Sequence, residues 1–141
     1  MASLLGVRSC WSLLYGTAAV GAIVEQAARW GCRTLAVSDR ENLYGVHEFI
    51  EAAKEAGIRP IIAVEFLYRQ AGLPSPSLFA FAIDRHGFSR LCTLVSSART
   101  DSSFNIVTAL SAGNAGLVVA CGDAGTLEKL RVAVKHLYAA I

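Results

Sequence analysis

Two aspartates stand directly after short apolar runs, at positions where α/β proteins build their active sites. Asp39 follows the run TLAVS, and Asp123 follows the run GLVVACG. A segment with helical apolar spacing comes after each of them, so both aspartates are predicted to lie at the carboxyl ends of buried strands. Active sites of parallel α/β folds are assembled at that edge of the sheet. Catalytic or metal-binding chemistry is therefore expected at these carboxylates.

The cysteine and histidine side chains give weaker indications of a functional site than the two aspartates do. Cys121 ends the second apolar run, where a nucleophile could stand, but no histidine motif accompanies it, which favours a small buried residue. The four cysteines are 22, 60 and 29 residues apart, so they contain no CxxC pair of the kind that structural zinc sites use. The three histidines follow no ligand motif and are interpreted as structural: His47, His86 and His136.

The segments that must position the two aspartates alternate between strand-like and helical patterns. This alternation predicts βα units on a parallel sheet. Five strands are predicted, at 4–8, 34–38, 60–67, 77–83 and 116–121. Five helices are predicted, at 17–30, 44–56, 87–97, 105–110 and 126–140. Thr17 is the expected N-cap of the first helix, and the segment RQAGLPSP at 69–76 is the clearest loop.

The composition predicts a single domain, residues 1–141, with an unusually apolar surface. An apolar share of 54% against 17% charged residues argues against disorder. The net charge of +2 is too small to indicate a nucleic-acid-binding surface, so nucleic acid is expected only through a larger assembly. With no signal peptide or membrane span recognised, we expect a cytoplasmic protein that self-associates or binds a protein partner.

Three stretches, in this order, carry a family resemblance: LGVRSCWSLLYG, LAVSDRENLYGVHEF and AGIRPIIAVEFLY. They resemble LHVHSxYSLLDG, LALTDHGNLFGAVEF and AGIKPIIGCEVYV of the PHP (polymerase and histidinol phosphatase) domain found at the start of bacterial DNA polymerase III alpha subunits. The resemblance extends more weakly to about Asp123. It implies a PHP-type (β/α)7 barrel, here partial or truncated at its C-terminal end, with about five strands.

In active members of that family, as the resemblance implies, up to three divalent metals lie at the carboxyl ends of the strands. Histidine and carboxylate ligands hold them, and a metal-bound water attacks a phosphoester. The carboxylates that correspond to ligands here are Asp39 and Glu65, and Asp123 lies near a further ligand position. We expect these three to form a vestigial and empty metal site, with only weak Mg or Mn binding as the alternative.

The sequence departs from the family pattern at its imidazole positions. Gly6 and Arg8 stand where the first motif has histidines, Arg40 stands where the second has one, and a further histidine position falls near Ser77. Glycine offers no ligand, and a guanidinium cannot lose its proton to become one. Buried carboxylates without a metal need another source of positive charge. Arg8 and Arg40 are therefore predicted to form an ion-pair cluster in place of the metals.

The predicted function is a non-catalytic PHP-like module related to the polymerase III alpha subunit, with a structural or partner-binding role in bacterial DNA replication. No segment resembles a polymerase catalytic motif. The alternative is a metal-dependent phosphoesterase with a reduced Mg or Mn site. A third reading, an unrelated small-molecule-binding α/β domain, is weaker because neither GxxxxGK nor GxGxxG occurs.

Overall fold

The computed structural model describes residues 2–68 and 77–140, which form an α/β structure of six strands and five helices within those ranges. It divides into two compact units, Met1–Val64 and Glu65–Ile141. The predicted single domain stays a prediction. The predicted loop at 69–76 lies outside the described residues.

The first unit begins with a parallel strand pair joined by a helix. Strand β1 is Ala2–Val7, helix α1 is Val20–Arg29 and strand β2 is Cys32–Arg40. Val7 is paired with Val37 in the parallel register. The apolar stripe of α1 packs against β2, as its spacing predicts, and Gly31 ends the helix with a φ of 70° that favours glycine. The helix starts three residues after the predicted N-cap, Thr17, so that prediction was wrong.

Helix α2, Val46–Glu55, and strand β3, Arg59–Leu67, follow. Helices α1 and α2 pack on each other and cover the same face of β2. The buried core of the unit contains residues of both helices and of β2, together with Ile58 just before β3: Val20, Val24, Ala27, Cys32, Leu35, Val37, Phe49, Ala53 and Ile58. Leu35 and Val37 of β2 therefore face the helices.

The second unit has the order β4 (Ser77–Ala82), α3 (Arg85–Thr100), α4 (Ile106–Ala112), β5 (Leu117–Cys121), α5 (Ala124–Leu130) and β6 (Leu137–Ala139). The side chains of Asp84, Asn105 and Asp123 cap its three helices. Strand β5 pairs with β6 in parallel.

Strand β4 pairs with β5 in antiparallel fashion, which corrects the expectation of an all-parallel sheet. Two helices, α3 and α4, connect these strands, and the chain reverses its direction through them before β5 begins. Accordingly, the end of β4 lies beside the start of β5, where the Ile83 N–H donates to the Gly116 carbonyl oxygen at 2.9 Å. At the other end, Leu78 is paired with Cys121, which brings the segment after β5 next to the start of β4.

The predicted closing helix at 126–140 was also wrong. Helix α5 ends at Leu130, and Leu137–Ala139 form a sixth strand, β6. Backbone groups of β5 provide the reason, because the Val119 N–H donates to His136 and the Cys121 carbonyl accepts from Ala140. The apolar spacing of this segment fits either structure, and pairing with β5 satisfies its backbone groups. His136 therefore precedes a strand and does not lie near a helix end.

Candidate functional site

Asp39, at the end of β2, is the centre of a buried hydrogen-bond network. Its Oδ1 accepts from the Ser9 backbone N–H and from the Ser12 hydroxyl, each at 2.7 Å, and its Oδ2 accepts from the Ser9 hydroxyl at 2.7 Å. All three residues are buried. Three short bonds to one carboxylate stabilise its charge without a metal. The carboxylate thereby fastens the loop after β1 to the end of β2.

The network continues into the turn after β2. The Arg40 N–H donates to the Ser12 hydroxyl at 3.0 Å, and the side-chain amide of Asn42 donates to the carbonyls of Trp11 and Arg40, each at 3.0 Å. Asn42 also accepts from the Tyr44 N–H at 3.1 Å. Because Asn42 is buried as well, the two loops form one rigid polar assembly. We call Ser9, Ser12, Asp39 and Asn42 the serine–aspartate clamp.

The sequence alone does not identify three of the four clamp residues: Ser9, Ser12 and Asn42. The only sequence signal is the polarity of Ser12, which interrupts the apolar run CWSLLY, because Ser9 and Asn42 adjoin charged residues. Such serines are common in loops and indicate no partner by themselves. Their partner lies 27 to 30 positions away in the sequence.

Arg8 directly follows β1 and is partly buried. Arg40 is next to Asp39 in β2, so the two side chains are placed on opposite faces of the strand. Ser38 shares the face of Arg40, and among the described residues its buried hydroxyl has no hydrogen-bond partner. The Arg40 guanidinium lies 3.5 Å from the Tyr15 ring centroid, a cation–π contact.

Gly6 has a backbone that differs from an ordinary strand. Its φ is 80°, and the register of β1 against β2 shifts between Leu4 and Val7. A residue with a Cβ is strained in this left-handed region. A histidine, which the family pattern has at this position, would therefore be disfavoured by the backbone.

Glu65 and Asp123 belong to the second unit. Glu65 is buried, and the Ser77 hydroxyl donates a short hydrogen bond to its carboxylate. Ser77 and Asp123 line one open cavity, together with Phe79, Gly122 and Ala140. The antiparallel pairing of β4 with β5 brings these two residues together. The residue at the expected histidine position, Ser77, thus serves as a hydrogen-bond donor to Glu65.

Asp123 acts as the N-cap of α5. Its Oδ2 accepts from the backbone N–H and from the hydroxyl of Thr126, each at 2.7 Å. The Thr126 hydroxyl, followed by its backbone N–H, lowers the pKa of Asp123 from its ordinary value. The charged carboxylate is therefore favoured, and its stabilising partners are donors of its own helix.

Cys121 lies at the end of β5 and is fully buried. Burial raises the pKa of its thiol, so the protonated form is favoured, whereas a nucleophilic cysteine needs a lowered pKa. The geometry agrees with the interpretation of a small buried residue.

Within residues 2–68 and 77–140, no group of three or more His, Cys, Asp or Glu side chains is arranged to hold a metal ion. His47 is exposed and its Nε2 lies 3.4 Å from Glu51 on the same helix. The donors at the ends of β1 and β2 likewise do not fit a multi-metal cluster, because arginine and glycine cannot coordinate and the Asp39 oxygens accept from serines. The proposed metal residues and arginine cluster stay predictions. In the part of the chain that the structure describes, no helix is both long and apolar enough to cross a membrane.

Comparisons with known proteins place these features in context. A family model described as the PHP domain matches residues 5–136. The chain is 35% identical over 102 residues to the DNA polymerase III subunit alpha of Borreliella burgdorferi, and 32% identical over 100 residues to the error-prone DNA polymerase of Mycobacterium bovis. These alignments cover 65% and 67% of this chain but only 9% of each relative. The chain thus corresponds to about a tenth of the length of these polymerases.

Among solved structures, the chain is similar to a Bifidobacterium adolescentis protein provisionally described as a metal-dependent phosphoesterase. The TM-score is 0.65 at 16% identity, and the match covers 96% of this chain and 76% of that protein. At this identity the similarity concerns the fold alone. It confirms the predicted PHP-type α/β fold.

Proposed function

Because the chain belongs to the PHP domain family, we propose that it is a non-catalytic PHP module of the DNA polymerase III alpha type, with a structural or partner-binding role in DNA replication. Its relatives include DNA polymerases, which supports the link to replication. The expected cytoplasmic and bacterial setting belongs to the same proposal.

The observation that carries the non-catalytic part is the hydrogen bonding of Asp39. Its Oδ1 accepts from the Ser9 N–H and the Ser12 hydroxyl, and its Oδ2 accepts from the Ser9 hydroxyl, each at 2.7 Å. A metal ion would have to compete with these bonds for the same lone pairs. The serines supply the stabilisation that a cation would otherwise supply, so the carboxylate has a structural role without metal.

The imidazole positions support the same proposal. Arg8 and Arg40 bear permanent positive charges, which repel a divalent cation instead of coordinating it. Gly6 has a φ that favours glycine. Its backbone therefore disfavours a histidine ligand, and glycine itself has no side chain that could coordinate a metal. We propose that Arg8 and Arg40 form an ion-pair cluster in place of the metals.

Metal analysis and a hydrolysis assay on the purified chain test the proposal. After dialysis against Mn²⁺ or Zn²⁺, we expect far less than one metal per chain, and no hydrolysis of a generic aryl phosphate above the buffer rate. Stoichiometric metal would overturn the proposal. So would hydrolysis that is lost in Glu65→Gln and kept in Glu128→Gln, a control at an exposed glutamate of the same unit; that pattern would favour a phosphoesterase with a reduced site.

A further inference from the structure

The cavity that Ser77 and Asp123 line has the size of a small-ligand site. Its volume is about 410 Å³, within the range of ~300–1,000 Å³ that ligand sites occupy. It is lined by Ser77 and Phe79 of β4, by Gly122 and Asp123 directly after β5, and by Ala140 after β6. All five residues belong to the second unit. The chemistry of the three side chains with functional groups or rings, Ser77, Phe79 and Asp123, therefore indicates which ligand fits.

Asp123 brings a carboxylate oxygen with free lone pairs to this cavity. Its Oδ2 accepts from the N–H and from the hydroxyl of Thr126, and in the described part of the chain no donor is bonded to Oδ1. The bonds from Thr126 lower the pKa of Asp123, so the carboxylate is charged at neutral pH. A charged oxygen of this kind bonds most strongly to a cationic donor.

Ser77 presents an acceptor to the same cavity. Its hydroxyl donates its hydrogen to the buried carboxylate of Glu65. A serine hydroxyl has one hydrogen and two acceptor lone pairs, so toward any further group the Ser77 oxygen only accepts. The two polar side chains of the cavity, Ser77 and Asp123, thus offer acceptors and no donor. An ammonium group, with three donors and no acceptor, is complementary to them.

Phe79 supplies the aromatic wall of the cavity. Its ring stacks on that of Phe81, with centroids 6.4 Å apart and an interplanar angle of 28°, which holds the ring in place. The face of an aromatic ring attracts a cation within about 6 Å of its centroid, and its carbon surface favours an alkyl chain. A divalent metal ion gains little from such a wall, because it prefers oxygen ligands. The lining therefore favours an organic cation.

Lys129 is a cation of the same unit that also acts on Asp123, since its charge contributes to the lowered pKa. Its Nζ donates to the Tyr68 hydroxyl at 3.2 Å and lies 5.4 Å from the centroid of that ring. Lys129 does not line the cavity. A hydroxyl and an aromatic ring hold its ammonium, and the cavity offers the same two groups in Ser77 and Phe79, together with a carboxylate.

We propose that this cavity binds an alkylammonium group, with the ammonium at Asp123 Oδ1 and the Ser77 hydroxyl and the alkyl chain on the Phe79 ring. The group belongs either to a free primary amine or to a lysine side chain of a peptide. This site goes beyond the function proposed above and does not rest on it, because it requires neither metal nor its absence elsewhere.

Amide NMR of the isotope-labelled chain, titrated with n-butylammonium at constant ionic strength and in EDTA, tests the proposal. We expect saturable shifts of the Gly122 and Ala140 signals with a Kd on the order of 1 mM. The signals of α2, which has the exposed glutamates Glu51 and Glu55, should not shift. The neutral isostere n-butanol should bind about tenfold more weakly or worse. EDTA removes metal ions, so this test and the metal analysis above fail separately.

Three variants assign the binding to the lining. Asp123→Asn removes the charge and keeps a residue that caps helices well, so we expect a folded chain that binds n-butylammonium about tenfold more weakly. Phe79→Leu keeps an apolar wall without the ring and should weaken binding roughly two- to fivefold. Glu128→Gln is the matched control, because it removes an exposed carboxylate of the same unit, and it should bind as wild type does.

A second probe, N-acetyl-lysine amide, distinguishes the two sources of the ammonium group. Tighter binding of this probe than of n-butylammonium supports a peptide lysine, and the reverse order supports a free amine. Gly122 and Ala140 signals that move with neither probe would overturn the proposal. So would n-butanol that binds as tightly as n-butylammonium, equal binding by wild type and Asp123→Asn, or a loss in Glu128→Gln as large as that in Asp123→Asn.

Discussion

At the scale of single residues, the carboxylate that sequence comparison places in a metal site has a different set of partners. Asp39 accepts three hydrogen bonds from two serines that are remote in sequence. The bonds join the loop after β1 to the end of β2. The presence of Asp39 at this position is therefore explained by its contribution to stability as well as by its match to the family pattern.

Removal of the clamp carboxylate should destabilise the fold. Asp39→Ala leaves a buried N–H and two buried hydroxyls without their acceptor, which we expect to cost about 3 kcal/mol in the free energy of unfolding. Asp39→Asn keeps one acceptor oxygen and should cost less. Urea denaturation measures both, with the exposed Ser102→Ala as a control expected within about 0.5 kcal/mol of wild type. Equal stabilities of Asp39→Ala and wild type would contradict the structural role.

At the scale of elements, capping and pairing determine where the second unit places its polar residues. Asp123 is at the N-terminus of α5 and accepts from Thr126, so its position at a strand end is also the start of a helix. The antiparallel β4–β5 pair brings it to the cavity that Ser77 lines. The same aspartate that looks like a ligand in the sequence is a helix cap in the structure.

The cap should make stability depend on pH. The pKa of Asp123 is lowered in the folded chain, so its contribution is present above the unfolded value of about 3.9 and is lost as the pH falls through the folded pKa. Asp123→Ala should therefore lower the thermal unfolding midpoint at pH 7. The difference from wild type should shrink in acid. A difference that stays constant from pH 7 to the acid limit would show that the charged cap contributes nothing.

At the scale of the whole molecule, both units have α/β structure. Buried apolar residues and buried polar networks such as the serine–aspartate clamp stabilise it. The first unit has its own core between β2 and the helices α1 and α2. The described residues of neither unit contain a group of three or more metal-ligating side chains. A chain stabilised in this way should not depend on a cation for folding.

Chelation tests this independence. We expect the thermal unfolding midpoint to be the same before and after EDTA treatment, since a ligand that binds only the folded state would raise it by several degrees. Addition of excess Mn²⁺ to the treated chain serves as the control for reversible metal loss. A midpoint that falls with EDTA and returns with Mn²⁺ would be incompatible with a metal-independent fold.

The amino-acid sequence is enough to identify the family, and it predicts that glycine and arginine replace the imidazole ligands. Three ordered motifs predict the PHP-type fold, and the identities of Gly6, Arg8 and Arg40 are readable without coordinates, because a residue's capacity to coordinate is a property of its side chain. Most strands and helices also follow from apolar spacing, since burial selects one face of each element.

Which groups meet depends on the three-dimensional arrangement of the strands and cannot be read from the sequence. Ser9 and Ser12 reach Asp39 because β1 pairs with β2, which lies about thirty residues later in the sequence. No local sequence pattern encodes the register of that pairing. The direction of β5 and the strand at Leu137–Ala139 depend likewise on backbone pairing with neighbours. Apolar spacing fits a helix or a strand in that short segment, and long-range hydrogen bonds choose between them.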